Sequence, residues 1–550
     1  MKENKKRILI LGAGLMQGPA IRAAKELGCE VIAVDGNPNA VCAKEADKFF
    51  PIDLKDIPAL IDLAKSLKEK GLHGVFTAAT DFSVSVAAVA ESCSLPGHSL
   101  EAARRASDKV LMRECFEKHG VPSPKFTHIF KNEIDNALQI LKQKAIPFPI
   151  TVKPADNMGA RGCRLVYSQD ELRPALEDAV NFSRSGKAIA EEFIDGEEFS
   201  LEALVINGEI FLNALADRHI FFPPYFVEMG HTIPSIKSKE ECDELIRVFF
   251  LGIKALGLTN GAAKGDIFLR KTDPQKNGKR TACVGEIAAR LSGGYMSGWT
   301  VPYSSGFDVT KAAVKIALGE PVDELPNGEA ARFSAERAWI SVPGIIKKIY
   351  GLEEARSTKN IKDVLPRLFE KDETVFPKNN VEKCGNVLSS AESYDEAVKA
   401  SMEAVQKIFL RLERANNKTN LFFEKTNPSI AMQGNYPPNF FKFPEDDSTK
   451  EIKNKTFDEL LKNSILAEEG EILYPSFFKD FLDKAFDVHG LSIREAIKQA
   501  FFLEPKLKEK MLTLQTIGEN LNPSLVLWWK YFIRGSRQGL IYYLDTELND

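Results

Sequence analysis

Short unbroken apolar runs alternate with longer segments of helical period over the first hundred residues. Arg7–Leu11 is apolar after its first residue, as in a strand buried on both faces. Gly12, Gly14 and Gly18 follow, then a helical pattern to Leu27 and a second apolar run, Glu30–Val34, ending at Asp35. Helical patterns at about 55–70 and 82–94 flank another strand at Gly74–Ala78. This order predicts a doubly wound parallel sheet. The glycine spacing is GxGxxxG, with Gln17 where a dinucleotide-binding turn would place its third glycine. A tight strand-to-helix turn is therefore favoured over a nicotinamide site.

The period changes again after Ser107-Asp108. A helix is predicted over Lys109–His119, stopped by Gly120, and Val121-Pro122-Ser123-Pro124 reads as an extended linker. A strand at Lys125–Phe130 and a helix at Glu133–Lys144 lead into PFPITVKPADNMGARGCRLV. There a strand carrying Lys153 enters a loop containing Gly159 and Gly162 and returns as a strand. Glycines let backbone lie close over phosphates and the lysine supplies a point charge, although the same pattern also describes a plain hairpin tip. Lys187–Phe193 is a further strand, and alternating strands continue to Ala216. Arg218–Ser235 is rich in Pro and aromatics around Glu228, Gly230 and His231, and reads as a substrate loop. A helix over Lys239–Leu256 follows.

The stretch Gly261–Gly294 carries the candidate chemistry. Two runs rich in Ile, Val and Phe flank a turn at Asp273, Pro274, Asn277 and Gly278, which predicts a hairpin. Each strand places one carboxylate among apolar neighbours, Asp266 and Glu286. Paired strands lie about 5 Å apart, so both carboxylates can aim at one point. Two hard oxygens beside a polyphosphate suit Mg²⁺, which keeps waters and takes few protein ligands. Arg290 stands four residues beyond Glu286, and Ser292-Gly293-Gly294 leaves room for a substrate.

Composition narrows the possibilities. At 550 residues the chain predicts several domains, and 44% hydrophobic with 27% charged residues is an ordinary globular balance. The formal net charge of -4 offers no broad electropositive surface for nucleic acid or membrane. Eight scattered cysteines form no CxxC and no metal-ligand spacing, which suits reduced thiols and a cytoplasmic location. No run of 18 apolar residues marks a membrane span.

Five segments in order, RILILGAG…VIAVDGNPNA, ASDKVLMRECFEKHGVPSP, PITVKPADNMGARGC, AEEFIDGEEFS and GDIF…GEIAARLSGG, resemble the ATP-grasp superfamily. The flavour is closest to its carbamoyl-phosphate-synthase-like and amino-acid-ligase-like branch. The resemblance implies an α/β fold with a Rossmann-like pre-ATP-grasp domain at 1–107. A two-lobed α+β ATP-grasp domain would occupy 108–336, with a small lid lobe at about 123–193, and a C-terminal subdomain of the ligase unit 337–413. Residues 414–550, beyond the resemblance, are expected to form a linker and a mainly α-helical C-terminal extension. The implied activity is an ATP- and Mg²⁺-dependent ligase, Mn²⁺ being the alternative metal, that activates a small carboxylate as an acyl-phosphate for attack by an amine. A homodimer is compatible with it. A carbamoyl-phosphate-synthase-like or carboxylase-like enzyme, and a non-catalytic ATP-binding protein, are the alternatives.

Site residues follow from the same resemblance. Lys109 and Lys153 would contact ATP phosphates, with the loop from Met158 through Gly159 to Gly162 closing over them. Glu191 and the backbone of Phe193 would hold adenine, Glu198 the ribose hydroxyls, and His231 would approach the phosphates. Asp266 and Glu286 would hold the metal, and Arg290 would steady the acyl-phosphate or carboxylate. Where the superfamily often has Glu-x-Asn-x-Arg, this chain has Ala288, which cannot ligate a second metal.

Further on, Ser393-Tyr394-Asp395-Glu396 is a capping box before a helix whose buried stripe is Ala397, Ser401, Ala404, Val405, Ile408 and Leu412. Asn427-Pro428, Gly434-Asn435 and Pro437-Pro438 mark a linker. Helices are expected at Phe457–Leu466, Pro475–His489, Ser492–Phe502 and Pro505–Leu514. Phe clusters and Trp528-Trp529-Lys530-Tyr531-Phe532 are read as core in preference to a partner surface, since most aromatics bury their area.

Overall fold

The computed structural model describes residues 5–271, 279–326, 328–424, 436–444, 446, 449, 455–462, 464–513 and 522–547. The chain divides into two compact units: Met1–Ile220 with Gly230–Glu336 and Ser390–Val398, and Phe221–Met229 with Arg337–Ser389 and Lys399–Asp550.

In the first unit, the apolar runs become β1 (Arg7–Leu11), β2 (Glu30–Val34), β3 (Lys48–Phe50) and β4 (Leu72–Phe76), ordered β3-β2-β1-β4. The pairs β1–β2, β1–β4 and β2–β3 are all parallel, as the alternation with helices requires. Helices at Gly18–Glu26, Ile57–Lys68 and Ser83–Ser92 fall within the predicted segments. Gln17 settles the glycine turn. Its side-chain oxygen accepts from Gly14 N at 3.1 Å and its amide donates to Ala78 O at 2.6 Å. A Cβ at Gly12 would meet Gln17 Cγ at 2.9 Å, so the glutamine itself fills the turn.

A second sheet is built from β5 (Phe126–Phe130), β6 (Ile150–Pro154), β7 (Arg164–Val166) and β8 (Lys187–Glu192), in the order β5-β8-β6-β7. Ile129, Ile150, Val152, Val166, Ala188 and Ala190 pack beneath the helix Gln169–Phe182. Then come β9 (Gly196–Ile206), β10 (Glu209–Phe221), β11 (Val227–Ile233), β12 (Gly261–Arg270) and β13 (Ala282–Ala288), neighbours in the order β13-β12-β9-β10-β11. The segment Arg218–Ser235, expected as a substrate loop, is mostly the end of β10 and all of β11. Its near-continuous burial, from Met229 through Gly230, His231 and Thr232 to Ile233, outweighs its Pro and aromatic content. The helix Lys239–Leu256, capped by Ser238 and ended by Gly257 at φ +78°, lays Leu245, Val248, Phe249 and Ile253 against β12 and β13.

The second unit is held by one aromatic core. Trp339, Phe423, Phe478, Trp528 and Trp529 are all at most 1% exposed. Val342 and Leu410 share that core with Phe422, Phe441, Ile497 and Phe532, so the boundary read at residue 413 falls inside packed structure. The tryptophans are core. The linker marks at Asn427-Pro428 and Gly434-Asn435 lie outside the described residues, as does the hairpin turn at 273–278.

Helices Ile493–Leu503 and Lys506–Thr513 match expectation, but Pro475–His489 does not form one. It contains a short 3-10 turn, Ser476–Phe481, and a strand, Phe486–Asp487, paired with Phe441–Lys442. Asp487 explains the break: its carboxylate accepts from the backbone N of both His489 and Leu491, an alternative to helix that short acidic side chains offer. The predicted Phe457–Leu466 helix likewise stops at Lys462, and Leu466–Glu469 pairs with Ile472–Pro475. Among the described residues no helix is long and apolar enough to cross a membrane.

Candidate active site

The hairpin β12–β13 pairs Asp266 directly with Glu286, and across the other edge of β12 Asp266 faces Ser200. Side chains directly opposite in an antiparallel pair project from the same face, so the two carboxylates share one. On that face Lys264 precedes Asp266 by two residues, opposite Ala288 on β13 and Glu202 on β9.

Cations crowd this face. Arg218 Nη1 lies 2.8 Å from Asp266 Oδ1, and the Lys264 ammonium contacts Asp266 Oδ2. Arg218 also pairs with Glu198, the residue expected to meet a ribose. Lys109 Nζ stands 3.5 Å from Glu286 Oε1 and donates to Asn157 O at 2.8 Å. Burial alone would push the Glu286 carboxyl up. Lys109 chiefly, with Lys264, Lys153 and Arg290, overcomes that and holds it at about 2, so it is ionised at neutral pH.

The glycine loop joins β6 to β7 as expected. Gly159 and Gly162 sit at φ +69° and +68°, where a side chain is strained. Gly162 has a second constraint, since a Cβ there would meet Phe182 Cδ2 at 2.9 Å. Asn157 organises the turn: its side-chain oxygen accepts from Met158 N and from Arg161 Nη2. Arg161 Nε donates to Met158 O at 3.1 Å.

Glu191 differs from expectation. Its side chain is 1% exposed, and its two oxygens are taken by Arg113 Nε and Lys153 Nζ, each at 2.7 Å. It sits on the central strand β8, paired with both Phe126 and Thr151. Its carboxylate is thus closed to adenine, and what it does is hold two cations. Burial pushes Glu191 up, but Arg113 and Lys153 outweigh burial and keep it below the usual carboxylate range. Burial would lower Lys153, but Glu191 more than offsets this and raises it. Phe193, just past β8, is half-buried.

His231 also departs from expectation. It is 2% exposed, with Nε2 2.6 Å from Thr300 Oγ1 and Nδ1 3.4 Å from Glu336 Oε2. With both ring nitrogens turned to protein, it braces β11 and has no nitrogen to offer a phosphate. Arg290 is where expected, after β13, with Nε buried, without a hydrogen-bond partner, and 3.8 Å from Asp81 Oδ1. Asp81 reaches it from the loop after β4, which Ala79 N ties to Leu291 O.

Arg113, Arg218, Lys264 and Asp81 were not singled out from sequence. Arg113 carries a legible signal: Lys109, Arg113 and Phe116 share the i, i+4, i+7 stripe of one helix and all are buried. A cation on an apolar stripe needs a buried partner.

Among the described residues no three His, Cys, Asp or Glu side chains gather around one point. Asp266 and Glu286 nevertheless fit a hard divalent cation that takes its remaining ligands from phosphate and water. One oxygen is ionised well below neutral pH, and both sit beside Lys109 and Lys264, cations that a polyphosphate would satisfy.

Two segments of the chain match known protein families. Residues 106–290 match the ATP-grasp domain, and residues 338–413 match the L-amino acid ligase C-terminal domain 2. The chain is 27% identical over 371 residues to the carbamoyl phosphate synthase large chain, C-terminal section, of Methanocaldococcus jannaschii, covering 62% of this chain and 55% of that one. It is 24% identical to the carbamoyl phosphate synthase large chain of Archaeoglobus fulgidus, with 31% of that chain covered. The match thus spans roughly a third to a half of these relatives. Among solved structures, L-amino acid ligase from Bacillus licheniformis superposes with a TM-score of 0.64 at 22% identity, over 74% of this chain and 99% of that one. Phosphoribosylglycinamide synthetase from Anaerococcus prevotii does so with a TM-score of 0.57 at 25% identity, over 74% and 100%. The chain thus carries an ATP-grasp domain followed by an L-amino acid ligase C-terminal domain 2.

Proposed function

We propose that this protein is an ATP-dependent ligase that activates a small carboxylate as an acyl-phosphate and joins it to an amine. The observation that carries the reading is the shared face of Asp266 and Glu286, with Lys109 beside Glu286 and Lys153 contributing to the field there. A carboxylate is a poor electrophile. In the proposed reaction its oxygen attacks the γ-phosphorus, ADP leaves, and the amine nitrogen attacks the resulting acyl carbon, expelling phosphate and losing a proton. Such transfer depends on positioning and charge neutralisation more than on covalent help.

Lys109 and Lys153 are assigned to the phosphates, and the loop Met158–Gly162 to excluding water that would hydrolyse the anhydride. Phe193 backbone is assigned to adenine and Glu198 to the ribose. Bound Mg²⁺, anchored on Glu286 with Asp266 on the same face, would draw charge from the transferring phosphoryl group. Arg290, its Nε buried and without a hydrogen-bond partner, is assigned to the carboxylate. Asp81 beside it supplies an opposite charge, an arrangement that suits a substrate bearing both carboxylate and ammonium. That pairing favours an amino acid over bicarbonate, the substrate a carboxylase-like enzyme would take.

The test is an ADP-release screen over amino acids, other carboxylates and bicarbonate, each with and without amines. ADP release that needs both an amino acid and an amine supports the reading. Release driven by bicarbonate alone supports the carboxylase-like alternative, and Mg-ATP binding with no release under any condition supports a non-catalytic protein.

A further inference from the structure

Asp266 already has a positive charge on each oxygen. Arg218 Nη1 stands 2.8 Å from Oδ1 as an ion pair without a hydrogen bond, Lys264 holds Oδ2, and both cations are largely buried, with side chains 8% and 15% exposed. Glu286, by contrast, is 28% exposed, and among the described residues its one ion-pair partner is Lys109, at 3.5 Å, with Lys264, Lys153 and Arg290 acting from further off. The two carboxylates are thus unequal: one is compensated by protein, the other is open.

The register explains why Lys264 leans on Asp266. It stands between Ala288 on β13 and Glu202 on β9. Glu202 does not compete for the ammonium, because its oxygens are already met by Asn213 Nδ2 at 2.8 Å, Ser292 N at 2.6 Å and Ser297 Oγ. On the other flank, Ala288 ends at Cβ, so the lysine meets neither a bulky neighbour nor a competing oxygen. An Asn there would crowd the same space and offer a ligand oxygen that only a metal or the ammonium could satisfy.

We propose that Lys264 is a built-in cation: its ammonium occupies the place beside Asp266 that a second divalent ion would need, so the site takes one divalent ion per nucleotide, anchored on Glu286. The proposal rests on the reading of this face as the metal–nucleotide site. It turns the absence of Asn at position 288 from a missing ligand into half of a matched pair, a short residue opposite a resident ammonium. Lys264 is thereby a positioning residue, neutralising Asp266 while a bound metal is shared between Glu286 and phosphate.

The test counts metal without turnover. The full-length protein is mixed with adenylyl-imidodiphosphate, a non-hydrolysable ATP analogue, and titrated with Mn²⁺, bound metal being counted by electron paramagnetic resonance. The wild type should hold one Mn²⁺ per chain, with a second binding more than about tenfold weaker because an ammonium already fills its place. Lys264→Met should hold two, and Lys264→Arg, which keeps the charge, should hold one. Two ions of comparable affinity in the wild type, or a count unchanged at one in folded Lys264→Met, would overturn the proposal. Should Lys264→Met fail to fold, the wild-type count alone decides. A wild type that binds no Mn²⁺ with the nucleotide overturns the functional reading itself, and this inference with it.

Discussion

Replacing Glu191 with Gln tests whether this residue organises the site through charge. The carboxylate is 1% exposed and joins Arg113, 0% exposed, to Lys153. Gln preserves shape and can accept one hydrogen bond, but it leaves two cations facing each other. Arg113 would keep its bond to Gly285 O at 2.5 Å, while its Nη1 already lacks a partner. Breaking a buried ion pair by removing one partner costs about 3–5 kcal/mol, and the bond retained by Gln puts the expected loss near the lower end. Equilibrium urea unfolding at neutral pH measures it. The sign with pH is also fixed. The folded state holds Glu191 below its ordinary value, so its contribution is present above the unfolded pKa and is lost only as pH falls through the folded one. The wild-type advantage over Glu191→Gln should therefore stay constant near neutrality and shrink in strong acid. A loss below about 0.5 kcal/mol, the range of an ordinary surface change, would refute the assignment of Glu191 as an electrostatic hub.

Lys153→Ala should weaken Mg-ATP binding by about 1.5–3 kcal/mol, the worth of a charged hydrogen bond, with calorimetric titration as the readout. Trp529→Ala should destabilise the second unit by about 3–5 kcal/mol in chemical denaturation, since the ring is wholly buried against Phe478 and Phe532. Truncation after Arg414 should yield insoluble or proteolysed protein, because it removes Phe423, Trp528 and Trp529 from a core shared with Val342 and Leu410; a soluble, folded product would show that this core is dispensable. His489 is held neutral by burial, its pKa down to about 4, and accepts from Ile340 N at 3.2 Å. The unfolded chain takes up that proton at higher pH, so stability should fall by up to about 3 kcal/mol as pH drops from about 6.5 to about 4, and His489→Gln should flatten that part of the profile.

Local pattern carried the elements, and cross-strand register carried what it could not. The apolar runs at 7–11 and 30–34, the lysine strand before the glycine loop and the carboxylate-bearing hairpin were legible because each is a contiguous signal. Lys264 was not legible. It sits inside the hairpin, but its meaning comes from Glu202 and Ala288, which only the pairing of β9, β12 and β13 brings beside it. Arg218 is equally silent in sequence, joining Glu198 to Asp266 across strands that no local period connects. The segment around His231 misled because prolines and aromatics signal loops, whereas here the run of buried positions from Met229 to Ile233 makes β11 an inner strand. Asp487 interrupted a convincing helical stripe by bonding its own backbone neighbours.

The central claim is the acyl-phosphate, and oxygen tracing tests it most directly. The carboxylate found to stimulate ADP release is labelled with ¹⁸O in its carboxyl group and incubated with Mg-ATP and the amine, and the inorganic phosphate is analysed by mass spectrometry. If the carboxylate oxygen attacks the γ-phosphorus and stays there when the amine displaces phosphate, one labelled oxygen appears in each phosphate released by wild type, and Glu286→Gln releases none. Phosphate carrying no label while product forms would mean that the carboxylate is never phosphorylated, and the proposed reaction would be wrong.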